Sequence, residues 1–213
     1  MYTRDMFGLT DTELRILKKL DTPIKIQNYL DELPINFEKK GETYMSPRRV
    51  LREGKAHCFE GALLAATALW LQGEKPLLLD LTSFPHDDDH VVALYKINGY
   101  WGAISKTNHS SLRFRDPIYK TIRELALSYF HEYFMNDTGK KVLDTYSLPF
   151  DLSRYGDMWV TSEDELYDLM HALDGFKHFD IVPKENRRYI RNADSMERKA
   201  GEITEWKKTD KGT

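Results

Sequence analysis

The chain reads as an α+β protein. Cys58 to Leu71 is apolar on nearly every face, as in a helix buried on most sides. Asn98-Gly99, between two apolar runs, is a strong hairpin turn signal. Helical and strand patterns are also segregated along the chain rather than alternating unit by unit, the order expected of α+β domains.

Thr10 to Leu20 has Thr10 or Asp11 to cap it and Leu14, Leu17 and Leu20 on one face, so a helix is expected. Thr22-Pro23 opens a second helix, with Ile24, Ile26, Tyr29, Leu30 and Leu33 as its stripe and Pro34 as its stop. Residues 36–47 read as a loop, and Ser46 to Leu51 as a short helix. Gly73 ends the Cys58–Leu71 helix. Pro76 to Leu81 is a short apolar run, read as a buried strand because of its length. His90 to Ile97 and Tyr100 to Ser105 are the two strands of the hairpin. Two further helices are expected. One is Thr121 to Phe134, with Ile122, Leu125, Leu127 and Phe130 inward. The other is Glu163 to Leu173, capped by Thr161 or Ser162. From Lys184 the chain turns charged and poor in core formers. One domain over 1–183, with its core at 54–105, is expected to precede a weakly held tail over 184–213.

The 213 residues suffice for a full core, with roughly 70% of the unfolded surface buried. Apolar residues make up 41% and aromatics 12%, as in packed proteins rather than disordered ones. Lys+Arg number 31 against 34 Asp+Glu, a net charge of −3, so nucleic acid is not an expected partner. The longest apolar stretch, Gly61 to Leu71, falls short of the ~20 residues that cross a bilayer. The first residues lack the apolar region of a signal peptide, and a single cysteine allows no internal disulfide. A cytoplasmic setting without membrane association is the expectation.

That single cysteine opens the buried helix. A thiol at a helix N-terminus is biased toward thiolate by the dipole, and the first-turn N–H groups suit a developing oxyanion. His90 begins a strand, and Ser105 ends the strand paired with it. A Cys, a His and a polar orienter in this order make a Cys–His–X triad. The imidazole takes the thiol proton and the third group holds the ring. The hairpin places the two strand ends side by side.

Gly54-Lys-Ala-His-Cys58-Phe-Glu60-Gly-Ala-Leu-Leu-Ala-Ala resembles the nucleophile helix of the transglutaminase-like superfamily, a papain-like group of cysteine enzymes. Gly73-Glu-Lys-Pro-Leu-Leu-Leu resembles its turn into the first strand. His90-Val-Val-Ala-Leu-Tyr and Gly99-Tyr-Trp101-Gly-Ala-Ile-Ser105 resemble its His and Asp strands. The likeness spans about Gly54 to Ser105 and suggests a bacterial branch of the superfamily. It implies a nucleophile helix packed on a small antiparallel sheet with flanking helices. It also implies acyl chemistry on an amide or peptide substrate, as hydrolase or acyl/amine transferase, without a cofactor. Arylamine N-acetyltransferases of the same superfamily share a Cys-Phe-Glu stretch, but this chain lacks the paired glycines expected ahead of it and is shorter.

Where the family usually carries Asp, this chain carries Ser105, and Asn108 and Asp116 are the other candidates for the third member. Loss of that Asp keeps open an alternative, a catalytically inactive interaction module on the same fold. The catalytic set expected is Cys58, His90, Ser105 and Asn108. His57 is set aside as base because adjacent residues seldom aim at one atom, and Glu60 is expected to pair with a nearby Lys or Arg. Pro85-His86-Asp87-Asp88-Asp89-His90 carries metal-ligating types. No second ligand cluster is apparent in the sequence, so a metal is not expected. Arg113, Arg115 and Arg123 are read as a solvated charged face.

Overall fold

A computed structural model describes residues 7–39, 41–84 and 89–207. The N-terminal third is helical because caps and breakers occur where helices must start and stop. α1 (Asp11–Lys19) is held by a reciprocal box between Thr10 and Glu13. α2 (Pro23–Glu32) is capped by the Thr22 hydroxyl and has Pro at its first turn. α3 (Pro47–Glu53) starts from the Ser46 hydroxyl and ends on Gly54, whose φ of +64° is the left-handed turn that glycine adopts without strain. α4 (Cys58–Leu71) follows. Its residues Phe59 to Leu69 are all buried, so its burial rather than an amphipathic stripe holds it in place.

Among the described residues one antiparallel sheet runs β4-β3-β2-β1-β5-β7. Its strands are β1 (Leu77–Ser83), β2 (His90–Ile97), β3 (Tyr100–Ser105), β4 (Arg115–Tyr119), β5 (Leu143–Ser147) and β7 (His178–Asp180). The two-residue β6 (Phe150–Asp151) pairs with the start of β1. The sheet is covered on both faces. Leu78, Val91, Ala93 and Ile104 pack with Leu63, Leu64 and the rest of the α4 cluster. Leu79, Leu81, Val92, Leu94 and Ala103 pack with Leu125, Ala126 and Tyr129 of α5 (Ile122–Phe130). Strict alternation along β1 and β2 therefore feeds two cores, and each buried Leu contributes about 1.5–3 kcal/mol. The register Val92↔Ser105 sets the strand ends, so His90 and Ser105 are diagonal neighbours on one face. α6 (Tyr167–Asp174) and α7 (Ser195–Gly201) complete the chain.

Two helix expectations need correction. The first helix after the hairpin stops at Phe130 rather than Phe134, because the next residues turn into a bridge between Phe134 and Lys141. Leu127 on that helix points outward, at 38% exposure. The second begins at Tyr167 with Leu166 as its cap, not Thr161 or Ser162. The preceding acidic residues are spent on tertiary pairs: Glu163 with Arg52 at 2.8 Å, and Glu165 with Arg49 at 2.7 Å. The charged segment from Lys184 makes defined contacts as far as Trp206. Arg198 donates to the Asn136 and Asp137 carbonyls, and Trp206 exchanges two hydrogen bonds with the Asn108 side chain. No helix among the described residues is long and apolar enough to cross a membrane.

Candidate active site around Cys58

The turn into α4 is fixed from outside. Asn36 N–H donates to the Ala56 carbonyl at 3.0 Å, and Ala56 N–H donates to the Pro34 carbonyl at 3.2 Å. Cys58 is thereby set at the first position of α4, half-buried, with Sγ 3.7 Å from the Asp89 carbonyl oxygen. The helix start therefore lies beside the residue before His90.

His90 is 5% exposed, and its Nε2 lies 2.8 Å from Ser105 Oγ. Ser105 Oγ has one proton, and it goes to the Leu112 carbonyl at 2.6 Å, an acceptor only. The serine must therefore accept from His90, which places a proton on Nε2 and leaves Nδ1 as the basic nitrogen. Gln27 locks the serine in place. Its Oε1 accepts from Ser105 N–H at 2.9 Å, and its Nε2 donates to the Ser105 carbonyl at 2.8 Å.

A second histidine flanks the thiol. The His57 ring nitrogen Nε2 sits 2.7 Å from the Thr43 carbonyl and 3.3 Å from Glu60 Oε1. Glu60 is fully buried and accepts from Thr43 Oγ1 at 2.8 Å, from His57 N–H at 2.9 Å, from Asn36 Nδ2 and from Met45 N–H. Its charge partner is thus His57, not a Lys or Arg. Burial pushes the Glu60 carboxyl up, but the His57 hydrogen bond and charge outweigh it, and the group stays below the usual carboxylate range. Burial alone would lower His57. Hydrogen bonds to Cys58 and Glu60 and the two negative charges raise it to about 11. Burial likewise opposes ionisation of Cys58, yet hydrogen bonds and charge from His57 and His90 lower the thiol to about 6. At neutral pH the centre therefore holds a thiolate beside an imidazolium.

A cavity of about 550 Å³ opens on this group, within the usual range for a small-molecule or peptide-end pocket. Cys58, His57, His90 and Asn108 line it, together with the buried Lys106. Lys106 Nζ donates to the carbonyls of Leu30 and Leu33, and burial lowers its pKa to about 8.

Cys58, His90 and Ser105 are brought together. Asn108 lines the cavity, but its side chain is engaged by Trp206. Asp116 is exposed on the edge strand β4, away from the cavity lining. Arg113 meets Asp31 and Glu205. Arg115 meets Glu132 at 2.6 Å and stands over the Tyr129 ring, and Arg123 donates to the Ile181 carbonyl. His86, Asp87 and Asp88 lie outside the described residues. Gln27 and Lys106 are site residues that sequence reading missed, and nothing local marks them, since each acts across more than 70 residues of chain. His57 carried a signal, its place at the cap of the cysteine helix with Glu60 three residues on. Compared with protein-family models and with curated proteins, the chain matches none.

Proposed function

We propose that this chain is a cysteine-dependent enzyme of acyl chemistry on amide or peptide substrates, of the papain- and transglutaminase-like kind. The observation that carries the reading is the hydrogen bond from His90 to Ser105, which leaves Nδ1 basic beside a half-buried thiol in a cavity. A cysteine helix on an antiparallel sheet, with the histidine and its orienter on neighbouring strands, supports the same reading.

In the proposed reaction the Cys58 thiolate attacks the carbonyl carbon and forms a C–S bond. Charge moves to the carbonyl oxygen, where first-turn N–H groups of α4 have no intrahelical partner. The proton that Cys58 gave up, taken by His90 at Nδ1, passes to the leaving amine as the C–N bond breaks. Water then attacks the thioester, giving up its proton to His90, and an acid and the free thiolate result. An amine in place of water gives transfer. His57, held by Glu60, remains an imidazolium that stabilises the thiolate.

The test uses p-nitrophenyl acetate as a minimal acyl donor, with intact-mass detection of the acetylated protein. An acetyl adduct on Cys58, slowed strongly in His90→Ala and absent in Cys58→Ala, is expected. No adduct on Cys58, or equal rates in the wild type and His90→Ala, contradicts the proposal and favours an inactive interaction module.

A further inference from the structure

Asp80 is the only charged residue in the apolar strand β1, and it is fully buried. A lone carboxylate in such a strand is costly unless its oxygens are occupied. One of them is. His178 Nε2 stands 3.1 Å from Asp80 Oδ2, and its Nδ1 stands 2.8 Å from the Phe176 carbonyl. A carbonyl only accepts, so the ring donates at both ends and is positively charged. The other oxygen, Asp80 Oδ1, is buried and has no hydrogen-bond partner among the described residues.

Two more carboxylates converge there. Asp89, just before β2, and Asp174, at the end of α6, each bring an oxygen to within 4.8 Å of the others and of Asp80. Asp89 is partly buried and Asp174 exposed, so the group runs from the core to solvent. One oxygen of Asp89 is held by Ser83 N–H at 2.7 Å. Three carboxyl groups thus converge, and Asp80 brings to them one oxygen on His178 and one without a partner among the described residues.

We propose that Asp80, Asp89 and Asp174 form a binding site for a hard divalent cation of the calcium or magnesium class. The donors are all carboxylate oxygens, the set these ions select, whereas zinc prefers nitrogen and sulfur. The three oxygens all lie within 4.8 Å of one another, a span that one ion of this class bridges. His178 acts as the outer partner that aims the Asp80 carboxylate. The site joins β1, the start of β2 and the end of α6. Through the Asp89 carbonyl beside Cys58 Sγ, its occupation steadies the segment that carries His90.

The test is made on the full chain after chelation and desalting. Calcium, magnesium or zinc chloride is added separately, and thermal unfolding and equilibrium dialysis are followed. Calcium or magnesium is expected to bind at one equivalent and raise the melting temperature. At ten times the dissociation constant the folded-to-unfolded ratio rises about elevenfold. Asp174→Ala, an exposed change that removes the donor oxygen and leaves the core intact, should abolish the effect, and Asp168→Ala on the same helix should preserve it. The proposal is overturned if neither calcium nor magnesium binds at ~10 mM, well above the weakest class of protein calcium site. It is overturned equally if binding persists in Asp174→Ala, or if zinc alone binds. None of these readouts depends on Cys58 chemistry, so the outcome is independent of the proposed enzymatic reading.

Discussion

Ser105→Ala removes one oxygen and strands two groups. The His90 Nε2–H loses its acceptor at 2.8 Å, and the Leu112 carbonyl loses a donor at 2.6 Å. Each buried group left unsatisfied costs about 1–3 kcal/mol. His90 is buried and pays in full, whereas Leu112 is half-buried and water relieves part of its loss. A destabilisation of about 2–4 kcal/mol follows. The alanine also removes what fixes the His90 tautomer, so Nδ1 is no longer reliably the basic nitrogen. General-base assistance is worth about 10²–10⁴-fold, and loss of its orientation should slow acetylation of Cys58 by about 10²-fold. Urea unfolding measures the first effect, and acetylation under conditions where the variant is folded measures the second. Stability within 0.5 kcal/mol of wild type, the range of a neutral surface change, would refute the hydrogen-bond account. Lost stability with an unchanged acetylation rate would show that Ser105 is only structural.

Glu60→Gln should cost about 3–5 kcal/mol in urea unfolding, because it leaves the His57 imidazolium in a buried site without its counter-charge. Gly61→Ala should cost about 1–3 kcal/mol by the same measurement, because a Cβ there would stand 2.5 Å from Lys106 Cβ. Stability should be nearly independent of pH, as far as His57 and Cys58 set it, between about 6.5 and 8.5. His57 is raised to about 11, so its stabilisation is full below its unfolded value and is lost as pH rises through 11. Cys58 is lowered to about 6, so its stabilisation is full above its unfolded value and is lost as pH falls through 6. Between the two unfolded values the opposing slopes cancel, and denaturant unfolding over pH 5 to 10 in wild type and Cys58→Ala shows whether they do.

The parts of the fold visible in the sequence were those set by local signals. The buried helix at Cys58–Leu71 and the hairpin about Asn98-Gly99 have the boundaries their apolar runs and turn residues specify. β4 was hidden because Arg115–Tyr119 carries a proline, which only an edge strand tolerates. β5 was hidden because Leu143–Ser147 is polar enough to pass for a loop until β1 pairs with it. The helix expected from Glu163 begins only at Tyr167, because Glu163 and Glu165 satisfy arginines of α3 rather than a first helical turn. At the site, Cys58, His90 and Ser105 follow from helix start and hairpin register. Gln27 and Asp174 come from distant elements, and only the packing of α2 and α6 brings them in. Asp80 had a readable signal, a single acid inside Leu77-Leu-Leu-Asp-Leu81, whose meaning needed its neighbours in space.

The central claim is that Cys58 is a thiolate at neutral pH, held by His57 and His90. Alkylation of Cys58 by iodoacetamide between pH 4 and 10, in EDTA so that no cation contributes, tests it most directly. The rate should rise with an inflection near 6 in the wild type, and the inflection should move upward in His90→Ala. A single inflection near ~8.5, the value of an ordinary thiol, in both proteins would contradict it.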